Sequence, residues 1–138
     1  MGGAGHSGGA ISALGLYTED GPDGRDRRFT AGVILAGNSI GVGETFRDPP
    51  VPMLFVHAEQ DPIVPTWTGR SAYARVPWPK AFLALPGGEH IAPYLSVDSP
   101  QFELVLTATT DFLVSALYGN SDAGQRLSTV AGPHSDLT

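Results

Sequence analysis

The apolar residues of this chain gather in short continuous runs that are separated by glycine, proline and polar residues. Three of these runs, at residues 31–36, 51–57 and 80–85, contain few polar side chains. Continuous hydrophobicity, unlike the alternation of a half-exposed strand, is typical of parallel strands that are buried on both faces. The pattern therefore predicts three buried strands, and residues 1–4 can supply only the end of another.

Three further stretches, residues 8–16, 66–76 and 100–118, are compatible with helices, the second with Thr66 as its N-cap. The last is the strongest helix, because its apolar residues form one stripe at helical spacing. The stripe consists of Phe102, Val105, Leu106, Phe112, Leu113, Ala116 and Leu117. Gly119 and Asn120 end this helix. Strands that alternate with helices predict an α/β fold, with parallel strands between flanking helices.

The length of 138 residues suits a single domain, expected at residues 1–120, followed by a polar, partly ordered tail at 121–138. The formal net charge of −6 does not favour nucleic acid or an anionic membrane surface as a partner. No apolar run reaches the roughly 18 residues of a membrane-spanning helix. The sequence carries no signal that indicates a cellular compartment.

The sequence shows no motif for a metal or a cofactor. It contains no cysteine, which excludes disulfides, thiolate metal sites and a cysteine nucleophile. Its histidines and carboxylates do not have the spacing of metal ligands, and no glycine-rich phosphate-binding motif is present. We therefore expect neither a metal nor a cofactor.

Residues 5–9 read GHSGG and match G-x-S-x-G, the nucleophile elbow. This elbow is a sharp turn from a strand into a helix that raises the hydroxyl of Ser7 above the sheet. We expect that Gly5 and Gly9 leave room where a side chain would clash, since the turn also forces unusual backbone angles. The backbone N–H of Gly8 is placed to donate to a carbonyl oxygen that becomes negative. A flexible glycine-rich segment is the alternative interpretation.

In parallel α/β sheets, functional residues lie in the loops at the carboxyl ends of the strands. This rule selects Ser7, Asp61 and His90, which follow three predicted strands. A serine hydroxyl becomes a nucleophile when an imidazole takes its proton, and a carboxylate fixes the tautomer of that imidazole. Asp48 and Asp98 are weaker candidates for the acid, because neither directly follows a buried strand.

Over roughly residues 2–120, the sequence resembles the C-terminal half of an α/β-hydrolase, through GHSGGA, VPMLFVHAEQDPIVP, KAFLALPGGEHIAPY and the final amphipathic helix. The order serine, aspartate, histidine is also that of the superfamily. The short segment between Ser7 and Asp61 favours the lidless branch, which includes dienelactone hydrolases, platelet-activating-factor acetylhydrolases and cutinase-like polyester hydrolases. The polyester hydrolases are the most similar, because residues 61–65 match their D-x-I-x-P segment.

The resemblance implies a partial α/β-hydrolase fold in which the N-terminal half of the sheet is missing. The site it implies consists of Ser7 as nucleophile, His90 as general base and acid, Asp61 as its orienting partner, Gly8 as an oxyanion donor, and His6 and Ile63 in the substrate cleft. Gly8 departs from the methionine or glutamine of those families, although its backbone N–H is retained. The strand whose loop supplies a second oxyanion donor is absent from the sequence.

Other conspicuous side chains have structural interpretations. His57 lies within a buried run and is expected to be a packed, hydrogen-bonded core residue. Trp67 is expected to pack against its helix, although it could border the cleft. Glu89 is expected to face solvent, as is His134 in the tail.

The sequence therefore predicts a truncated copy of a serine hydrolase that acts on a small-molecule or polymeric carboxylic ester through an acyl-enzyme. Peptidase, lipase and cofactor-free haloperoxidase activities remain open. The alternative from another class is an inactive α/β-hydrolase remnant. Such a remnant would self-associate through the unpaired apolar edge of the strand that begins at Ala31 and ends at Ala36.

Overall fold

A computed structural model describes residues 1–130 of the chain and the backbone of residues 136 and 137. The elements, in chain order, are β1 (Gly2–His6), α1 (Gly8–Gly15), β2 (Ala31–Leu35), β3 (Met53–Ala58), α2 (Thr66–Arg75), β4 (Lys80–Leu85), α3 (Ala92–Leu95), α4 (Phe102–Tyr118), α5 (Ser121–Thr129) and β5 (Asp136–Leu137). No helix among the described residues has the length and apolar character needed to cross a membrane.

The strands form one sheet in the order β1-β2-β3-β4-β5. The first four strands are parallel, and β5 adds a short antiparallel pairing to β4 at the far edge. All six residues of β3 are buried, as continuous hydrophobicity predicts for a central strand. The predicted α/β fold with parallel strands and flanking helices is confirmed.

Side chains that alternate along each strand build two apolar clusters, one on each face of the sheet. Met53 and Phe55 of β3 belong to the cluster under α1 and α2. Leu54 and Val56 belong to the cluster under α4, together with Phe112 from that helix. Both faces of the sheet are therefore covered by helices.

The predicted free edge at residues 31–36 is wrong. Every residue of β2, from Ala31 to Leu35, pairs with β1, so β2 is an interior strand, and the backbone N–H of Ala36 donates to Val56. The prediction failed because β1 is rich in glycine and lacks the apolar run by which the other strands were recognised. The outer edge of β1 pairs with no other strand within the described residues.

The side chain of Tyr17 explains why Gly3 in β1 and Gly32 in β2 are glycines. A Cβ atom at Gly3 would lie 2.6 Å from the Tyr17 hydroxyl, and one at Gly32 would lie 3.0 Å from its ring. The hydroxyl accepts a hydrogen bond from the Gly3 N–H (3.0 Å) and donates to the carbonyl of Ala31 (2.5 Å). Tyr17 is fully buried and joins the two strands at their amino ends.

Helix α2 begins at Thr66 as predicted, but Thr66 is not its N-cap. Pro65 takes that position, and the Thr66 hydroxyl donates instead to the carbonyl of Ala58. The first residue of the helix is therefore bound to the end of β3, and this hydrogen bond spans the loop that carries Asp61.

The sequence placed a polar tail from residue 121 and missed helix α5. The Asn120 side chain caps this helix by accepting a hydrogen bond from the Ala123 N–H (2.9 Å). Arg126 forms a two-pronged ion pair with the buried carboxylate of Asp111 on α4. Ala123 is fully buried and Leu127 packs against the apolar cluster under α4, so apolar and polar contacts together hold α5 to the domain. Residues 131–135 of the predicted tail, including His134, lie outside the described residues, as does residue 138.

Candidate active site

Ser7 occupies the turn between β1 and α1 with a φ of 56° and a ψ of −120°. A positive φ is uncommon for a residue other than glycine and costs free energy that neighbouring contacts must offset. The Ser7 N–H donates to the carbonyl of Leu35 (3.0 Å), and its own carbonyl accepts from Ala10 (3.0 Å). The strand on one side and the helix on the other thus hold the turn in place.

The two glycines that flank Ser7 differ in how tightly they are enclosed. A Cβ atom at Gly5 would lie 2.0 Å from the carbonyl oxygen of Gly9, so Gly5 is required where the helix crosses the end of the strand. A Cβ atom at Gly9 would meet nothing within 4 Å outside the backbone of its own helix. The prediction that a side chain would clash on both sides is therefore wrong at Gly9, which is exposed.

Ser7, His90 and Asp61 form a continuous hydrogen-bonded series. The Nε2 atom of His90 lies 2.8 Å from the Oγ atom of Ser7, and its Nδ1 atom lies 2.7 Å from Oδ2 of Asp61. His90 and Asp61 are each 7% exposed, whereas Ser7 is half-buried. The competing aspartates, Asp48 and Asp98, are exposed, as is Glu89.

The contacts of His90 define its tautomer. A carboxylate only accepts hydrogen bonds, so the Nδ1 atom that faces Asp61 carries the hydrogen. In the neutral ring Nε2 is then an acceptor, and the hydroxyl of Ser7 donates to it. The Nε2 atom of His90 can therefore accept a proton from the Ser7 hydroxyl, and Asp61 can stabilise the imidazolium that results.

Asp61 is enclosed by hydrogen-bond donors. Its Oδ1 atom accepts from the backbone N–H groups of Ile63 and Val64, both at 2.8 Å. Burial by itself raises the pKa of Asp61, but the hydrogen bonds from His90, Val64 and Ile63 outweigh that effect, and the net pKa lies below its usual value. The carboxylate therefore stays ionised beside His90 at neutral pH.

His6, which the resemblance places in the substrate cleft, contacts the backbone of the histidine loop. Its Nε2 atom lies 2.6 Å from the carbonyl oxygen of His90, to which it donates. The ring of His6 also lies 5.0 Å from the rings of His90 and Tyr94. His6 therefore fixes the loop that carries His90, and its contact with substrate stays a prediction.

The roles predicted for Gly8 and Ile63 stay predictions. Gly8 is the first residue of α1, so its backbone N–H has no acceptor within the helix. Ile63 is 68% exposed, two residues beyond Asp61.

Exposed apolar side chains are concentrated on the segments that follow β2, β3 and β4. They are Ile40, Ile63, Trp67, Ile91, Leu95 and Val97. Trp67 is 71% exposed, so the expectation that it packs against its helix is wrong. It lies at the start of α2 and borders a cavity of about 300 Å³ together with Ile40 and Arg75. This set of side chains is called the apolar rim below.

Two buried residues support the site from below. The Tyr94 hydroxyl accepts a hydrogen bond from the Ala58 N–H (3.2 Å) at the end of β3. His57 is buried within β3, as expected, and its Nε2 atom donates to the carbonyl of Val64 (2.8 Å). Sequence reasoning did not connect either residue to Asp61, because the separation of His57 from Asp61 implies no contact between a strand and the loop that follows it.

No group of three or more histidine, aspartate or glutamate side chains within the described residues is arranged to hold a metal ion. No protein-family model matches the chain, and no curated protein matches it at a significant level. The resemblance to α/β-hydrolases therefore stays an interpretation of the sequence motifs.

Proposed function

We propose that this chain is a serine hydrolase that cleaves carboxylic esters through a covalent acyl-enzyme. The observation that carries the proposal is the series of hydrogen bonds from Ser7 through His90 to Asp61, with distances of 2.8 and 2.7 Å. A hydroxyl, an imidazole and a carboxylate in this order are the chemical requirements of nucleophilic serine catalysis.

In the first half-reaction, the Oγ atom of Ser7 attacks the ester carbonyl carbon while Nε2 of His90 takes the hydroxyl proton. Asp61 stabilises the imidazolium that forms. The Gly8 N–H donates to the carbonyl oxygen as it becomes negative, an interaction stronger in the transition state than in the substrate. The bond from the carbonyl carbon to the alcohol oxygen then breaks, and His90 gives its proton to the departing alcohol.

In the second half-reaction, a water molecule loses a proton to Nε2 of His90 and attacks the acyl carbon. The bond between the acyl carbon and the Ser7 oxygen breaks, and His90 returns the proton to that oxygen. The carboxylic acid leaves, and the hydroxyl of Ser7 is restored. The same histidine thus acts as base and acid in turn.

The apolar rim supports an ester with apolar acyl or alcohol groups as the substrate. Of its members, Ile91 directly follows His90 and Ile63 lies two residues beyond Asp61, and such exposed apolar side chains offer surface that is favourable to cover with apolar groups. Peptidase, lipase and haloperoxidase activities use related sites. A panel of p-nitrophenyl esters, a long-chain triglyceride and a peptide amide distinguishes esterase, lipase and peptidase activities, and halide oxidation by peroxide is assayed separately.

The test is hydrolysis of p-nitrophenyl butyrate by the purified chain and by Ser7→Ala. We expect measurable hydrolysis that falls to background in the variant, together with labelling of Ser7 by a fluorophosphonate in the wild type. His90→Gln is expected to fall equally, because groups that act as a unit are not additive. Activity that survives Ser7→Ala, or labelling at another residue, would overturn the proposal.

A second candidate is a non-catalytic chain that associates through a sheet edge, and the edge concerned is that of β1. Gly2 and Ala4 of this strand are exposed, and unpaired strand edges promote pairing between chains. Size-exclusion chromatography separates the candidates. A monomer with Ser7-dependent hydrolysis favours the enzyme, whereas an inactive dimer or larger assembly favours the associating chain.

A further inference from the structure

His57 is a buried histidine that the proposed reaction does not use directly. It lies near the end of β3 and is 1% exposed. By alternation along the strand, it shares a face with Met53 and Phe55, which belong to an apolar cluster. Burying an imidazole among such residues is unfavourable unless its polar atoms form hydrogen bonds. The hydrogen-bond partners of His57 therefore indicate its role.

The Nε2 atom of His57 faces two oxygen atoms of the segment that carries the acid. It lies 2.8 Å from the carbonyl oxygen of Val64 and 3.5 Å from Oδ2 of Asp61. A carbonyl only accepts hydrogen bonds, so Nε2 carries the hydrogen and donates it to Val64, while Oδ2 of Asp61 lies close to the same N–H. Burial lowers the pKa of His57, which keeps the ring neutral.

The segment from Asp61 to Val64 is therefore held by hydrogen bonds within the segment and by one from His57. Oδ1 of Asp61 holds the Val64 N–H, and His57 holds the Val64 carbonyl. The other carboxylate oxygen, Oδ2, is left to face His90. Helix α2 approaches so closely that a Cβ atom at Gly69 would lie 2.3 Å from Nδ1 of His57, which prevents the ring from turning away.

We propose that His57 is a positioning residue for the acid: its Nε2–H clamps the Asp61–Val64 segment and so directs Oδ2 of Asp61 at Nδ1 of His90. The proposal rests on the proposed function, because it assigns His57 a part in the same site. Loss of the clamp lowers the rate of the chemical step and leaves the binding of the ester unchanged, since His57 does not contact the cleft.

The test compares His57→Gln with His57→Met. Both replacements have unbranched side chains of similar length, but only glutamine keeps an N–H donor near the position of Nε2. We expect kcat for p-nitrophenyl butyrate to fall by about 10²-fold in the methionine variant with KM unchanged, as for a small misplacement of a catalytic group. The glutamine variant should recover most of that loss.

A proton NMR measurement of the His90 Nδ1–H, hydrogen-bonded to Asp61, supplies a readout that needs no catalysis. We expect its downfield resonance to be sharp in the wild type and in His57→Gln, and broadened or shifted upfield in His57→Met. If the wild type shows no Ser7-dependent hydrolysis, the proposed function fails, but this resonance still tests the clamp.

If His57→Met does not fold, Gly69→Ala takes its place, because the added Cβ displaces the ring while its donor remains. The same fall in kcat and the same change in the resonance are then expected. A folded His57→Met or Gly69→Ala variant with the wild-type kcat and resonance would overturn the proposal. So would a glutamine variant that is as impaired as the methionine variant.

Discussion

The Nε2 atom of His6 donates a hydrogen bond to the backbone carbonyl of His90 across 2.6 Å. His6 is the last residue of β1 and directly precedes Ser7. The two adjacent residues contact the same histidine: the His6 ring binds the backbone carbonyl of His90, and the Ser7 hydroxyl binds the ring of His90. The loop that carries His90 is thereby fastened to the turn that carries the nucleophile.

Replacing His6 by leucine is expected to loosen this loop. We predict that kcat for p-nitrophenyl butyrate falls by about tenfold or more, because misplacement of the base weakens proton transfer. Amide hydrogen exchange in residues 86–95 should become faster. His6→Gln, which keeps a donor, is the matched control. Unchanged exchange in the leucine variant would contradict this role of His6.

Alanine substitutions at Gly5 and Gly9 should have very different effects on the free energy of unfolding. A Cβ atom at Gly5 would lie 2.0 Å from a backbone oxygen, so we predict that Gly5→Ala lowers the free energy of unfolding by about 3 kcal/mol or more. Gly9→Ala should change it by between zero and about +1 kcal/mol, because alanine favours a helix. Urea denaturation measures both. Equal destabilisation of the two variants would contradict the difference in packing.

Removing the hydroxyl of Tyr17 should destabilise the junction of β1 and β2. Tyr17→Phe leaves the buried Gly3 N–H and Ala31 carbonyl without the hydroxyl. We predict a loss of about 1–3 kcal/mol in the free energy of unfolding, measured in urea. Tyr73→Phe is the control, since the described residues form no hydrogen bond with its hydroxyl.

Burial also raises the pKa of Tyr17 to about 12. The unfolded tyrosine ionises near the ordinary tyrosine pKa of about 10 and the folded one does not, so the wild type should lose stability between about pH 10 and 12. This loss should be smaller in Tyr17→Phe, and an identical alkaline profile would contradict the assignment.

Asp61 should contribute to stability in a pH-dependent way. Its pKa is lowered in the folded protein, so the contribution is complete above the unfolded value near 3.9 and is lost as the pH falls through the folded pKa. We predict a fall in the free energy of unfolding below about pH 4 that is shallower in Asp61→Asn. Circular dichroism during urea denaturation at several pH values provides the measurement.

At neutral pH, Asp61→Asn should lower kcat by roughly 10⁴-fold, because an amide does not enforce the tautomer of His90 that accepts a proton from Ser7. The variant should still react slowly with a fluorophosphonate. A wild-type kcat in this variant would remove Asp61 from the proposed site.

Much of the fold was predictable because burial leaves a direct mark on sequence. The bounds of β4 agree with the apolar run at residues 80–85. Helix α4 buries Val105 and Phe112 of the predicted stripe, but Leu106 is exposed, and Ala108 lies on the buried face in its place. The sequence predicted only the end of a strand at β1, because glycine-rich strands lack an apolar run. At Gly3 the glycine is explained by Tyr17, whose hydroxyl leaves no room for a Cβ atom. Helix α5 was missed, because only a few small or isolated apolar residues, Ala123, Leu127 and the following Val130, face the core, and the Asn120 cap and one ion pair add to that contact.

The sequence by itself determined the α/β architecture and the three loops in which a hydroxyl, a carboxylate and an imidazole occur, since periodicity and turn residues are local properties of the chain. Only the tertiary structure decided that Ser7 and His90, 83 residues apart, lie within hydrogen-bonding distance. It also decided that His6 and His57 support the histidine and the acid. Such contacts depend on the register of parallel strands and on the closeness of helix packing, which arise when distant segments come together.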